Sequence, residues 1–563
     1  MLTADLRQIL TAIAMCLAIT ATAAGGESTA KAAKIPELFN EVVEAEVRAG
    51  LINTTPLTVY TSANAPTAPK VEELEKRKTL SQYGITWTFD KEVPVGRFIN
   101  GDWYVVGPVT VVMIDPKPLF GDEITEGFIK KDQVDETKYP GKQARHGSVL
   151  NPKIQQNAVD FTSYCGLDSR LPSDRFKAEL SGHLPFAMKP GDCLLSSISR
   201  RNDEIRVFGG QHANPVRAVA VLNCVAEPLP TDAFRPSFCD TANNASYRSR
   251  NLKRDLLLKL PKMPGTPANL ARYARILERP YADLADFGFS CPQENMPHYG
   301  QQMIEYIGEA TLLLQMDYSP EEKERTLVNL IQVGIDFWGM TRAGRKWQVM
   351  GGLNQGRKWP IIFAGMLLDD QQMQSPKKIV PGSRWHEDEQ TAMCPYNYDG
   401  KVFEQTWTGA KAFFVGHSLW TDPGDRGKWL KGSGPIDLFH PKDWPLPEKE
   451  ELGSNGYRMA NTSGSWIGQA LSARLMHAEN VWDHEAFFAY VDRWMTEDDT
   501  IQVEALKAAG RKDRTKVPRG AFYRQGCVNG EAKWVKEMWL KYRNNLPLGP
   551  NGEKTPNAEN TWK

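Results

Sequence analysis

The period of the hydrophobic pattern changes partway along the chain, and that change limits the fold more than any other feature. Over residues 83–226 the apolar positions alternate, as in Ile85-Thr86-Trp87-Thr88-Phe89, the period of a half-buried strand. Asn100-Gly101 reads as a tight hairpin turn, because both residue types tolerate positive φ. Residues 103–114, 185–198 and 216–226 continue the strand signal. Short strands separated by turns predict a β-sandwich. From residue 251 onward the period becomes helical. Met303, Ile304, Ile307, Ala310 and Leu314 share one helix face. A helix over 320–338 follows Ser319, a good N-cap, with Glu321 and Glu322 in its first turn. Further helices are predicted over 270–277, 359–368, 466–477, 484–495 and 531–542. Helix pairs joined by long loops predict an α/α toroid. The fold class is therefore α+β and multidomain. A β-sandwich-like domain (81–240) precedes an α/α helical catalytic domain (250–545). A helix and linker (25–80) come before them and a flexible tail (546–563) after them.

A chain of 563 residues exceeds one ordinary core, which agrees with two large domains. Residues 1–24 resemble a secretory signal peptide. Arg7 supplies a positive charge, a short apolar run follows, and Ala21-Thr22-Ala23 fits a small-residue cleavage site. The run is too short to span a membrane, and no later stretch reaches that length. The expected location is thus secreted or periplasmic, with no membrane insertion. The formal net charge of zero gives no support to a nucleic-acid partner. Removing Cys16 with the signal peptide leaves seven cysteines, an odd number, of which Cys224 and Cys239 are a plausible disulfide pair. No CxxC or HExxH spacing occurs, so no cofactor is expected. A structural divalent cation stays open.

Three segments concentrate polar chemistry. GGLNQGRKWP lacks the Ser or Thr and the preceding strand of a phosphate loop, so it reads as a loop entering a helix, with Pro360 near the first turn. Arg357 and Lys358 at such an entrance suit a carboxylate or sulfate, with Asn354 and Trp359 beside them. The plainer alternative is a helix cap in which Arg357 bridges to a neighbour. RWHEDEQT places Glu387, Asp388 and Glu389 between Trp385 and the PYNY turn. Crowded like charges push carboxyl pKa values apart, as a glycosidase acid requires, whereas a surface acid run is the plainer alternative. NGYRMANTSGSW carries Tyr457 and Arg458, a proton carrier beside a cation, and packing of Tyr457 against Trp466 is its plainer alternative. His298 lies just before a predicted helix. Most of the 16 tryptophans are expected in the core, with Trp359 and Trp385 kept as sugar platforms.

On NQGRKWP, WHEDEQT, PYNY and NGYRMANTSGSWIGQAL, together with the domain order, the chain resembles secreted carbohydrate-active enzymes of the helical-toroid type. These include polysaccharide lyases of the alginate and heparinase-like group and toroid glycoside hydrolases. The β-first order departs from the heparinase-like pattern and matches some toroid glycosidases. The resemblance implies a polysaccharide lyase that cleaves a uronate-containing glycan by β-elimination. Arg357 or Arg458 would neutralise the carboxylate. Tyr457, Tyr396 or Tyr398 would move the proton, with His386 as a base. Asn354, Lys358, Trp359, Trp385, Glu387, Asp388, Glu389 and His298 would bind substrate. A paired-carboxylate hydrolase and a non-catalytic glycan-binding or scaffold protein are the two alternatives.

Overall fold

A computed structural model describes Glu46 and residues 55–124, 144–153, 167–169, 183–201, 206–208, 211–239, 246–283, 291–293, 299–349, 352–398, 400–416, 436–443, 462–498, 500–510, 533–549 and 551–563. Residues 1–24, expected to be a signal peptide, lie outside them, as do Tyr457, Arg458 and His298. The fold has a sheet-rich N-terminal region and a helical C-terminal part.

The N-terminal strands form one ten-stranded sheet. Its main path runs β7 (Ser148–Leu150), β9 (Cys193–Ser199), β11 (Gln211–Val225), β3 (Trp103–Val106), β2 (Ile85–Arg97), β4 (Val109–Asp115), β8 (Phe186–Met188), and β1 (Glu75–Gln82) adds to β2. The pairs are antiparallel except β11 with β3 and with the short strand Cys291–Gln293. Two facing sheets were expected, but this single sheet curls until it is nearly closed. Trp87 on β2 donates its indole N–H to Ser196 Oγ on β9, 3.0 Å away, although two strands lie between them in the sheet. Bulges in β1–β2 and β2–β4 supply bends. Alternation in short strands is the same for a sandwich and a barrel, so the sequence pattern did not separate them.

The period of two gives the sheet two different apolar faces. Ile85, Trp87, Phe89, Val93 and Val95 of β2 pack inside the curl with Leu194, Ala220, Leu222 and Cys224. Cys193, Leu195, Val219 and Val221 point the other way and join the core of the helical part. Cys224 and Cys239 therefore lie in different cores, and both are free thiols, as are Cys193 and Cys394. The expected disulfide is not formed.

The helical part is built on α1 (Ala271–Glu278), α2 (Tyr299–Leu314), α3 (Pro320–Arg342), α4 (Lys358–Leu368), α5 (His386–Gln390), α6 (Ile467–Leu475), α7 (Glu479–Trp482), α8 (Glu485–Thr496), α9 (Thr500–Ala508) and α10 (Lys533–Tyr542). Ser319 caps α3 reciprocally. Its hydroxyl accepts from the Glu322 N–H at 3.2 Å, and the Glu322 carboxylate accepts from the Ser319 N–H at 2.6 Å. Helices α2 and α6 approach closely, because a Cβ on Gly308 would stand 2.7 Å from the Gln469 nitrogen. None of the described helices is long and apolar enough to cross a membrane. The segment expected as a loose tail is held in place: the Trp562 carbonyl accepts from Lys411 and Ala412, and its indole donates to Thr496 Oγ1 at 2.9 Å.

A buried ion triad ties the sheet to α3. Arg235 donates Nε to Asp102 Oδ2 at 2.6 Å, from the turn between β2 and β3, and both Nη groups to Asp336 of α3. All three side chains are buried. Gln82 and Asn100 add amide donors to the Asp102 carboxylate.

Candidate functional site

The loop 352–357 and helix α5 meet at the N-terminus of α4, so two of the three chemically rich segments do converge. They converge inward. Gly356 sits at φ 87°, and a Cβ there would stand 2.9 Å from the Ile304 Cα, so the loop lies directly on α2. Arg357 is fully buried. Its Nη2 donates to Asp283 Oδ1 at 2.7 Å and to the Tyr281 hydroxyl at 3.1 Å, while Nη1 donates to the carbonyls of Leu353 and Gln355. The other Asp283 oxygen accepts from Arg345 and from the Trp347 indole. Burial alone would raise the Asp283 carboxyl. The two guanidinium groups and the indole bond outweigh it and hold that carboxyl at about 2. Burial likewise works against the charge on Arg357, but Asp283 more than offsets it and its pKa is raised. The salt-bridged helix cap is what the geometry has.

The neighbours are equally committed. Lys358 pairs with Asp388, whose other oxygen accepts from the Trp482 indole at 3.0 Å. Burial pulls the Lys358 ammonium below its ordinary value, with Asp388 opposing. Burial also raises Glu387, which accepts from the Gly356 N–H at 2.7 Å and from Gln469 at 3.1 Å. Burial raises Glu389 too, against an ion pair with Arg384, and Glu389 accepts from the Val349 N–H. His386 is buried, with Nε2 2.8 Å from Gln390 Oε1. Asn354 is buried and donates to the Gln348 carbonyl at 2.9 Å.

Neither tryptophan offers a ring to solvent. Trp359 stacks on Trp482 at 6.2 Å, and Trp385 stacks on Trp347 at 5.3 Å. Both are core residues, as most tryptophans were expected to be. The sugar-platform expectation for these two is corrected. A sequence window shows an aromatic residue beside charges but not the side to which it turns.

Tyr396 and Tyr398 stand apart from this network. They lie on β14 (Tyr396–Tyr398), paired with β15 (Lys401–Phe403) in a small lobe that also holds β13 (Thr391–Met393), β16 (Ala412–Phe414) and residues 436–443. Cys394, Phe403, Phe413, Val415 and Leu438 form the lobe's own core. A buried ion pair anchors it to α8: Arg493 Nη1 lies 3.1 Å from Asp437 Oδ2, which also accepts from the Phe414 N–H. Tyr396, Tyr398, Trp407, Phe439 and His440 are all half-buried there. Trp407 meets His440 edge-on at 4.8 Å, and Tyr398 meets Phe439 at 5.8 Å. Lys401 opposes Tyr398 across the hairpin and is exposed. Burial raises the Tyr396 phenol, with Tyr398 adding to the effect.

Sequence reasoning missed Asp283, Arg345 and Trp347, which complete the Arg357 network from distant positions, and it passed over Trp407 and His440. The available signal was the aromatic density running on past PYNY. Among the described residues no group of three or more His, Cys, Asp or Glu side chains is arranged to hold a metal ion. No protein-family model matches the chain, and no match was found among curated proteins or solved structures.

Proposed function

We propose that this protein is exported and binds an acidic, uronate-containing polysaccharide through the aromatic lobe of residues 391–416 and 436–443. One observation carries the reading: Tyr396, Tyr398, Trp407, Phe439 and His440 are half-buried aromatic residues gathered on one small lobe, with the exposed Lys401 opposite Tyr398 in its hairpin. Flat apolar faces with polar tips suit sugar rings, and an exposed cation suits a uronate carboxylate. The buried ion pairs at the head of α4 then serve as the rigid floor from which the lobe is hung. The finer reading of the helical part, an α/α toroid, goes with this proposal. The close pairing of α2 with α6 and of α3 with α4 supports it.

Cleavage by β-elimination is the second reading, favoured by the placement of Lys401 opposite Tyr398. Such a pair could neutralise a carboxylate and move a proton. Hydrolysis by Glu387, Asp388 or Glu389 has less support, since each already accepts hydrogen bonds from buried donors.

The test is affinity electrophoresis in gels carrying pectate, alginate or heparin, run with Trp407→Ala and Tyr398→Ala. Wild-type protein should be retarded by at least one of these polymers. Trp407→Ala should weaken binding roughly tenfold, the effect of losing one buried aromatic contact of 1–2 kcal/mol. Both variants should keep the wild-type melting temperature within a few degrees. Ultraviolet absorbance from an unsaturated uronide, appearing in the same mixtures, would bring in elimination. Free migration of the wild type in all three gels would sink the reading.

A further inference from the structure

At one rim of the curled sheet two arginines converge on a single indole. Trp103 opens β3 opposite Arg97, the last residue of β2. The Arg97 guanidinium carbon lies 3.6 Å from the Trp103 ring centroid, and that of Arg77 on β1 lies 5.2 Å from it. The indole is fixed: only 5% of Trp103 is exposed, and its N–H donates to the Ser81 carbonyl at 3.0 Å. The two cations differ in their partners. Arg77 has Glu75 at 2.7 Å, in a pair open to solvent on both sides. Arg97 has no carboxylate in contact among the described residues. It spends Nη1 on the Gly101 carbonyl at 2.7 Å. Burial against the sheet, and then the charge of Arg77, lower its pKa, so an anion arriving here would relieve a like-charge repulsion.

The hydrogen-bond pattern also sets the shape of the missing partner. With Nη1 taken, Nε and Nη2 remain, and these form the side-on fork that matches the two oxygens of a carboxylate. Stacking on Trp103 holds the guanidinium plane in place, so little side-chain freedom is lost when the fork closes on a ligand. Arg77 stands near enough to add a second positive charge. The opposing groups nearby are Glu75, which is engaged with Arg77, and Asp102, which is engaged with Arg235.

We infer that Arg97, held flat on Trp103 and assisted by Arg77, is a binding site for the carboxylate of a uronate sugar. It would be a second contact for the acidic chain, on the sheet rather than on the aromatic lobe. The inference rests on the acidic-glycan reading for the identity of the anion, and on the Arg97 geometry alone for the site.

A titration of the full chain with free glucuronate tests it, followed by tryptophan fluorescence and by the indole N–H resonances in NMR spectra. Glucose is the uncharged control. Glucuronate should saturate and shift the Trp103 resonance, and glucose should not. Arg97→Ala should weaken glucuronate binding at least tenfold with an unchanged melting temperature. Arg97→Lys should restore only part of it, because an ammonium cannot reproduce the two-donor fork. If glucuronate binds Arg97→Ala as it binds wild type, or shifts nothing near Trp103, the site is overturned while polymer binding by the lobe stands. If glucuronate titrates Arg97 normally but no acidic polymer is retained, the site holds and the glycan reading falls.

Discussion

Arg357 shows how a residue can be chemically apt for a site and still be structural. Its sequence neighbours suggested a substrate clamp, yet its partners are Asp283, Tyr281 and two carbonyls, all buried. Removing one member of a buried pair leaves the other charge uncompensated, which costs about 3–5 kcal/mol. Arg357→Ala should therefore lower the melting temperature by several degrees at least, and Arg357→Lys should recover little, because one ammonium cannot serve four acceptors in the same plane. Circular dichroism melts of the two variants decide the matter. A wild-type melting curve for Arg357→Ala would return Arg357 to the list of ligand-binding candidates. The burial could not be read from the sequence because Asp283 and Tyr281, more than seventy positions away, reach Arg357 only through tertiary folding. What was legible was a helix start at Trp359, one residue from the observed Lys358, and the plainer alternative of a bridged cap.

At the scale of elements, the helices were more legible than the sheet. The Ser319 cap and Glu322 signal their helix locally, and α3 begins where they predict and runs on to Arg342. Strand alternation gave the strands but not their closure, because pairings such as β11 with β3 join residues more than a hundred positions apart. The triad that ties these elements together has a consequence for pH. Burial is the main cause that raises the Asp336 carboxyl, Arg235 opposes it, and the result is about 6. An unfolded aspartate titrates near 3.9. Between those values the folded chain binds the extra proton, so this group's contribution to stability falls as pH rises from about 4 to 6. Asp336→Asn keeps the shape and removes the titration. Urea denaturation midpoints measured from pH 4 to 7 should show a smaller loss across that window in Asp336→Asn than in wild type. Parallel pH curves for the two proteins would show that Asp336 does not titrate there. Asp283 acts in the opposite sense and at lower pH: its depressed value makes its contribution disappear as pH drops through the range from about 4 to 2.

For the whole molecule, the decisive feature is that the sheet has no core of its own on one side. Val149, Cys193, Leu195, Val216, Val219 and Val221 are buried in the same apolar cluster as Ile307, Leu330 and Trp338 of α2 and α3. The Asp102–Arg235–Asp336 triad crosses the same junction. A chain of this length with a period change suggests two units that fold independently, but contiguous apolar burial couples them. Separating them would expose the six outer-face side chains and leave Asp102 without its cation. The expectation is a single cooperative transition in calorimetry, followed equally by a tryptophan signal from the sheet and by helical circular dichroism. A fragment of residues 55–239 made alone should bind a hydrophobic dye and aggregate, because its exposed apolar face would otherwise be the interior of the protein. Val221→Asp should destabilise both probes together, since a charge placed in that shared core finds no partner of its own. Two resolved transitions, with only the sheet probe moved by Val221→Asp, would instead mean that the contact is a docking surface between two self-sufficient folds.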